Sequence, residues 1–400
     1  MGFGRKTFNA VIDAYKLREK FAATTRERDS LASSVRETAE RRHMDRILHH
    51  HPWRLAGKGG VVPGAPGPIN DHELIQRATA AYRSATATPL GSRQSIWLNE
   101  FAEANRQTHE TLLNGSPEAI QSLLRNPANS MLFYGFDSLQ SKDSRSSNSE
   151  FWFDWNHKLA YDSLLQLVRA IGLKRIENPE TNEDYADSPD PESLLESLDA
   201  ELGFSIDFPN LFNGEVGLQT SRGVANYRAV HALYQAWRTR ELVGNIRGAR
   251  ILEIGAGLGR AAYYTMKMGV SNYTIVDIPL TGVSQAYFLG RTLGSEVINL
   301  WGEARPSPLQ ILPPVAYNEV AGPFDLVVNV DSLTEMARTT AEAYLVGAAR
   351  MSKMFWSINH ERNEFTVRSI YSNAKNAKAI RYPCWIRRGY VEEIISFKSP

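Results

Sequence analysis

A single cysteine, Cys384, is present in 400 residues. No intramolecular disulfide can form, and the chain suits a reducing, cytoplasmic setting. No apolar run approaches the roughly 18 residues of a membrane span, and the opening M-G-F-G-R-K-T lacks the apolar core of a signal peptide. Lys6 stands where a myristoylation signal wants Ser or Thr. Nor is there an excess of either charge: 45 basic against 44 acidic side chains leave a formal net charge of +1. There is therefore no global field to attract nucleic acid, which argues against it as a partner. No internal repeat is found. A content of 42% hydrophobic and 22% charged residues is that of a soluble globular protein, and the length exceeds one ordinary domain.

What is present is a strand running into three alternating glycines. In A-R-I-L-E-I-G-A-G-L-G, 249–259, Ile251, Leu252 and Ile254 suit a parallel strand buried on both faces. Gly255, Gly257 and Gly259 let the backbone turn sharply and a ligand approach. The residues from Arg260 to Met268 then read as a helix whose N-terminus faces that ligand. A second strand over Tyr273–Val276 ends in Asp277, about 20 residues beyond the glycines, as an acid that holds a ribose should. A dinucleotide fingerprint would place its third glycine at 260, where Arg260 stands, so a dinucleotide oxidoreductase is the weaker alternative.

Further strands follow. Glu296–Leu300 leads to Trp301, Gly302 and Glu303. A wholly apolar run, Phe324–Val330, ends at Asp331 and is followed by S-L-T-E-M. After a helix over Thr340–Met351, a fifth strand over Met354–Ile358 precedes Asn359, His360 and Glu361. Ile380–Arg387 and Tyr390–Phe397 form a terminal hairpin joined at Arg388 and Gly389. Strands alternating with helices predict an α/β fold, with ligands beyond the carboxyl ends of a mainly parallel sheet.

The pattern E-x-G-x-G-x-G resembles the first motif of class I S-adenosylmethionine-dependent methyltransferases. The resemblance implies a Rossmann-like, seven-stranded, mostly parallel sheet with its last strand antiparallel, behind a mainly helical N-terminal region. It places Glu253 near the amino acid moiety of S-adenosylmethionine and the glycines beneath its ribose, with Trp301, Gly302 and Glu303 around the adenine. Ala256, Arg260, Ile278 and Asn329 fall in the same cofactor wall. More narrowly, V-D-I-P-L-T, Q-A-Y-F-L-G, V-V-N-V-D-S-L-T-E-M, S-I-N-H-E and R-Y-P-C-W-I-R-R-G-Y-V-E-E are similar to a family of sugar O-methyltransferases from bacterial polysaccharide and glycoside gene clusters. The likeness spans 208–397. Its most distinctive segments are N-V-D-S-L-T-E-M and S-I-N-H-E, with Glu335 where many relatives have histidine. The acceptor it implies is a sugar, nucleotide sugar, glycoside or polysaccharide.

Methyl transfer from a sulfonium asks the protein chiefly to align the acceptor and exclude water. A sugar hydroxyl also needs a base, or a metal that lowers its pKa. His360, at the ligand edge, is the first candidate base; its alternative is a hydrogen bond to loop backbone. Asp331 and Glu335 are next. With Glu361 they also form a hard-oxygen set that suits Mg²⁺, unless they serve as caps or acceptors of substrate hydroxyls. Tyr263, Arg222, Asn359, Glu361, Arg381 and Trp385 are the expected substrate contacts. Trp385 could instead be sheet core and the arginines solvated.

The first half says less. Residues 6–50 read as charged helix, forming an N-terminal extension over 1–56 and a surface through which copies could associate. Gly57–Pro68 is a Gly/Pro-rich linker, 69–220 a mainly helical substrate or cap region, and 221–400 the cofactor domain. Helices are expected over 71–84, 92–113, 117–124, 156–171 and 227–242. The stretch 177–192 is acidic and proline-containing and reads either as locally disordered or as an ordered segment. The loop Gly217–Gly223 closes over substrate or caps the following helix through Ser221. A catalytically silent scaffold whose helical half does the binding is the alternative to an enzyme.

Overall fold

The computed structural model describes residues 24, 28, 31, 38, 41, 42, 45–51, 54, 55, 57–63, 70–87, 97–133, 137, 139, 149–178, 180, 188–372 and 377–397. The expected helix over 6–50, and the association of copies through it, lie almost entirely outside them. Two compact units are present, Met1–His51 and Pro52–Pro400. Every described strand belongs to the second.

The centre of this second unit is an eight-stranded sheet. Eleven strands are described: β1 Gly59–Val61, β2 Val216–Thr220, β3 Gly223–Ala225, β4 Arg250–Ile254, β5 Asn272–Val276, β6 Ile298–Leu300, β7 Leu309–Leu312, β8 Leu326–Val330, β9 Met354–His360, β10 Ala377–Pro383 and β11 Tyr390–Phe397. The sheet runs β10-β11-β9-β8-β4-β5-β7-β6. From β9 to β6 every neighbouring pair is parallel, while β11 runs antiparallel to both β9 and β10. The chain moves outward from β4 to one edge and then returns to β8 on the other side of β4. That reversal opens a crevice at the carboxyl ends of β4 and β8, where a doubly wound sheet receives its ligand. The fold is Rossmann-like.

One strand more than expected is present. Leu309–Leu312 pairs with β5, and the expected third strand, β6, is displaced to the outer edge. With alternating burial over four residues, L-Q-I-L gives a weak strand pattern, and its place beside β5 decides its state. The terminal hairpin also differs: β10 ends at Pro383, so 384–389 form the connection rather than the end of a strand.

Local chemistry sets the helix boundaries. Gly259, at φ 88°, starts the helix Arg260–Lys267 from a left-handed conformation open to glycine at little cost. The side chain of Asn226 accepts from the Arg228 N–H and caps the helix Tyr227–Val243. Ser221, the expected cap, instead lies at the β2–β3 turn. The segment 217–223 is thus part of a small antiparallel sheet, β1-β2-β3. Two boundaries expected from composition meet that sheet. Gly59–Val61, read as linker, pairs with Val216–Leu218, and the division at 220 falls inside the hairpin.

The helical region packs on the sheet's helices. The helix His72–Thr86 lies against Pro279–Leu293, where Gly290 admits Leu74 so closely that a Cβ would sit 2.6 Å from its Cδ1. Asp71 accepts from Arg125 at 2.6 Å and from the Tyr287 hydroxyl at 2.7 Å, binding three segments at one buried carboxylate. Arg125 and that hydroxyl hold Asp71 below the usual carboxylate range despite its burial. A helix over Pro191–Leu202 also forms, begun by Asp190 accepting from the Ser193 N–H. The acidic composition of 177–192 conceals its start, which the cap and Pro191 mark.

Candidate functional site

At the crevice lies a cavity of about 380 Å³, within the range of small-molecule sites. One wall is the glycine loop. Gly255 (φ 73°) and Gly257 (φ 57°) turn the chain away from β4 in the left-handed region, and both line the cavity with Ala256 between them. Bare backbone faces the space there.

Across the loop stands Asp277, at the end of β5 and on the cavity wall. Its carboxylate accepts from the Ile278 N–H at 2.8 Å and from Gln285 at 2.7 Å. Burial pushes it up to about 7, although these bonds and the amides of Ala256 and Gly257 favour its charged form. Glu253 lines the same end. It accepts from the Tyr273 hydroxyl at 2.8 Å, and burial raises it to about 7 as well. Ile278 and Pro314, beyond the ends of β5 and β7, complete this part.

The opposite end is polar and aromatic. The helix Tyr227–Val243 presents Arg228, His231 and Gln235, spaced three and four apart and so on one face. Trp97 enters from the helical region, and Arg387 and Tyr390 from the terminal hairpin and its connection. Asp331 holds φ 65°, an uncommon state for a non-glycine residue, and is ion-paired to Arg387. The Arg387 guanidinium lies 3.6 Å from the centre of the Tyr390 ring.

Glu335 closes this end. The short helical turn Leu333–Glu335 carries it, fixed by the Leu333 N–H donating to the buried Asn329. The Trp97 indole donates to its Oε2 at 2.6 Å. Burial pushes Glu335 up to about 7; the indole bond, Arg387 and Arg228 oppose that rise and Asp331 adds to it. A carboxyl in this range can take a proton near neutral pH.

Several expected contacts lie elsewhere. His360 does not line the cavity. It stands behind Glu335 and Tyr390, with Nε2 4.0 Å from Glu335 Oε1 and Nδ1 accepting from the Arg362 N–H. Trp301, Gly302 and Glu303 follow the edge strand β6, away from the cavity. Glu303 is held there by Arg77 and caps the Leu300 N–H. Arg260 touches the cavity, but its guanidinium is committed to the buried Asp137 and Glu215. Asn329 is buried, bonded to the Ile254 carbonyl, Ser332 and Asn359, and Asn359 is buried with it. These two amides cross-link strands.

The expected substrate contacts disperse for similar reasons. The Tyr263 hydroxyl donates to Asp207, and Arg222 pairs with Asp199. Arg381 pairs with Glu361 on the outside of the hairpin, and Trp385 donates to the Gln166 carbonyl. None of these five side chains lines the cavity. The residues do not fit Mg²⁺ either. Asp331 and Glu361 are paired to different arginines, and no group of three candidate ligands comes together among the described residues.

Trp97, Arg228, His231, Gln235, Arg387 and Tyr390 carry no shared signal in the sequence that would gather them into one group. The 3.6-residue spacing of the apolar face of 227–242 is visible there, and it places His231 near the buried side. Arg387 lies in the same arginine-rich stretch as Arg381 and Trp385, and only its partner Asp331 sets it apart.

No protein-family model matches the chain, nor does any curated protein. Among solved structures, it is similar to magnesium protoporphyrin IX methyltransferase from Synechocystis with bound S-adenosylhomocysteine (13% identity, 42% of this chain and 86% of that one, TM-score 0.31). It is also similar to the ribosomal protein L11 methylase of Lactobacillus delbrueckii subsp. bulgaricus (13%, 48% and 91%, TM-score 0.32). A third is the CcbJ methyltransferase of Streptomyces caelestis (9%, 41% and 90%, TM-score 0.33). At such scores these likenesses carry no argument of their own. The fold rests on the strand order and connections.

Proposed function

We propose that this chain is an S-adenosylmethionine-dependent methyltransferase that methylates a hydroxyl group, with a sugar or sugar-containing molecule as acceptor. One observation carries the reading: a single cavity joins the bare glycine loop and Asp277 at one end to Glu335 at the other. The residues at the first end fit a nucleoside. Gly255, Ala256 and Gly257 offer backbone without bulk, Asp277 offers a carboxylate to ribose hydroxyls, and Glu253 a second carboxyl to a cationic amino acid moiety.

When bound, S-adenosylmethionine supplies a methyl group activated by its sulfonium, which passes to an oxygen nucleophile. Glu335 takes the acceptor's proton, in the role first expected of His360, which stands one layer behind it. Trp97 gives flat apolar surface of the kind that packs on a sugar face, and Gln235 and Arg228 give polar groups for hydroxyls. The sugar itself comes from the sequence resemblance, and the mixed aromatic and polar wall is compatible with it.

Calorimetry on the whole protein with S-adenosylhomocysteine and, separately, NAD tests the donor. S-adenosylhomocysteine should bind, NAD should not, and Asp277→Ala should weaken binding by on the order of tenfold or more. Methyl transfer to a panel of glycosides, nucleotide sugars and glycans then tests the acceptor, with Glu335→Gln abolishing turnover while still binding S-adenosylhomocysteine. Preference for NAD would end the reading. Tight S-adenosylhomocysteine binding with no transfer across the panel would move the chain toward a silent scaffold.

A further inference from the structure

On the reading of Glu335 as the proton acceptor, we propose that Trp97 is a positioning residue of the site, whose indole N–H orients the Glu335 carboxylate and favours its proton-accepting form. The two residues stand 238 positions apart in sequence, and Trp97 belongs to a segment outside the Rossmann-like sheet. Its Nε1 lies 2.6 Å from Glu335 Oε2, the separation of a strong, charge-assisted bond.

The chemistry of the donor gives this contact a direction. An indole N–H donates and cannot accept. It therefore stabilises the carboxylate over the acid and opposes the effect of burial. The geometry is fixed from both sides. The Trp97 ring meets the buried Phe101 edge-to-face, with centroids 5.0 Å apart. The turn bearing Glu335 is pinned by the buried Asn329 through the Leu333 N–H. Two rigid supports thus meet at one hydrogen bond.

The other charged groups around Glu335 divide. Asp331 favours the acid, while Arg387 and Arg228 favour the carboxylate. His360 Nε2 stands 4.0 Å from Oε1, and Tyr390 stands near both. All of these except Trp97 belong to the sheet, its loops or the helix Tyr227–Val243. The helical region therefore supplies both a wall of the cavity and one of the bonds that keep the base ready.

The test is a pH titration of the full chain, read without any acceptor. In ¹H–¹⁵N spectra the Trp97 indole signal, identified by its loss in Trp97→Phe, should shift with a midpoint near that of Glu335, about 7. The shift should vanish in Glu335→Gln, which assigns it to this carboxyl and to no neighbouring group. With ¹³C-carboxyl-labelled glutamate, Trp97→Phe should raise the Glu335 midpoint by on the order of one unit. S-adenosylhomocysteine affinity should stay within about threefold, since the cofactor end is untouched. An indole signal indifferent to pH, or a Glu335 midpoint unchanged in Trp97→Phe, overturns the assignment. Should Trp97→Phe fail to fold, Glu335→Gln decides alone, because one indole signal must then lose its pH dependence. The titration is read on the free protein, so a wild type that fails to bind S-adenosylhomocysteine counts against the methyltransferase reading and not against this contact.

Discussion

Gln285 ties the glycine loop to Asp277: one amide nitrogen donates to Asp277 Oδ2 at 2.7 Å and to the Gly257 carbonyl at 2.8 Å. The residue is fully buried, and its own Oε1 has no hydrogen-bond partner among the described residues. The helix after β5 thereby fixes how far the glycine loop stands from the acid.

Gln285→Leu removes both bonds and leaves the Gly257 carbonyl and the buried Asp277 carboxylate short of a donor, at a cost of about 1 to 3 kcal/mol in stability. S-adenosylhomocysteine affinity is expected to fall on the order of tenfold, by calorimetry on the folded variant. Unaltered affinity would show that the loop and Asp277 keep their spacing without Gln285.

Glu253 makes stability fall as pH rises. Burial raises its folded pKa to about 7 from an ordinary 4.5, so between these values the folded state binds more protons than the unfolded one. Ionising it above pH 7 removes that advantage. Glu253→Gln keeps an oxygen for the Tyr273 hydroxyl and carries no charge. Urea unfolding should find it more stable than wild type by about 1 to 3 kcal/mol at pH 8, with the gap closing toward pH 4.5. An equal gap at both ends of the range would contradict the shift.

Arg260 places one buried guanidinium between two buried carboxylates, Asp137 and Glu215. Arg260→Met would leave those carboxylates together without it, at a cost of about 3 to 5 kcal/mol. Burial pushes Glu215 up to about 7 even with the arginine present, so the loss should be smaller at pH 5, where Glu215 is neutral. Chemical unfolding at two pH values reads both parts.

Two glycines with similar backbone angles should respond differently to alanine. At Gly255 (φ 73°) a Cβ would overlap the Ser332 hydroxyl on the cavity wall. At Gly302 (φ 88°) the nearest atom would be 3.7 Å away and the cavity is elsewhere. Both substitutions carry the left-handed penalty of roughly 1 to 2 kcal/mol. Gly255→Ala alone should also weaken S-adenosylhomocysteine binding, by on the order of tenfold or more. Equal binding by the two variants would remove the glycine loop from the ligand's path.

The legible parts of this chain are those in which neighbours in sequence are neighbours in space. The strand Arg250–Ile254, the glycines, the helix after them and Asp277 form one continuous βαβ unit, and each step has a local cause: β-branched residues, positive φ, a helix start. The helix boundaries at Pro117, Tyr227 and Met351 are readable for the same reason. Leu309–Leu312 is not, because four residues of alternating polarity become a strand only between partners, and one of these, Asn272–Val276, lies more than 30 residues earlier.

Composition and local pattern by themselves determined a mainly parallel sheet of alternating strands and helices with a bare glycine turn beside Asp277, since strand periodicity, glycine freedom and the position of an acid are properties of short stretches. Only the tertiary structure decided which polar groups face the cavity there. Arg222, Tyr263, Arg381 and Glu361 are spent on partners distant in the chain, and His360 yields the wall to Glu335. A charged side chain goes where its counter-charge and its desolvation balance, and both depend on segments far away in sequence.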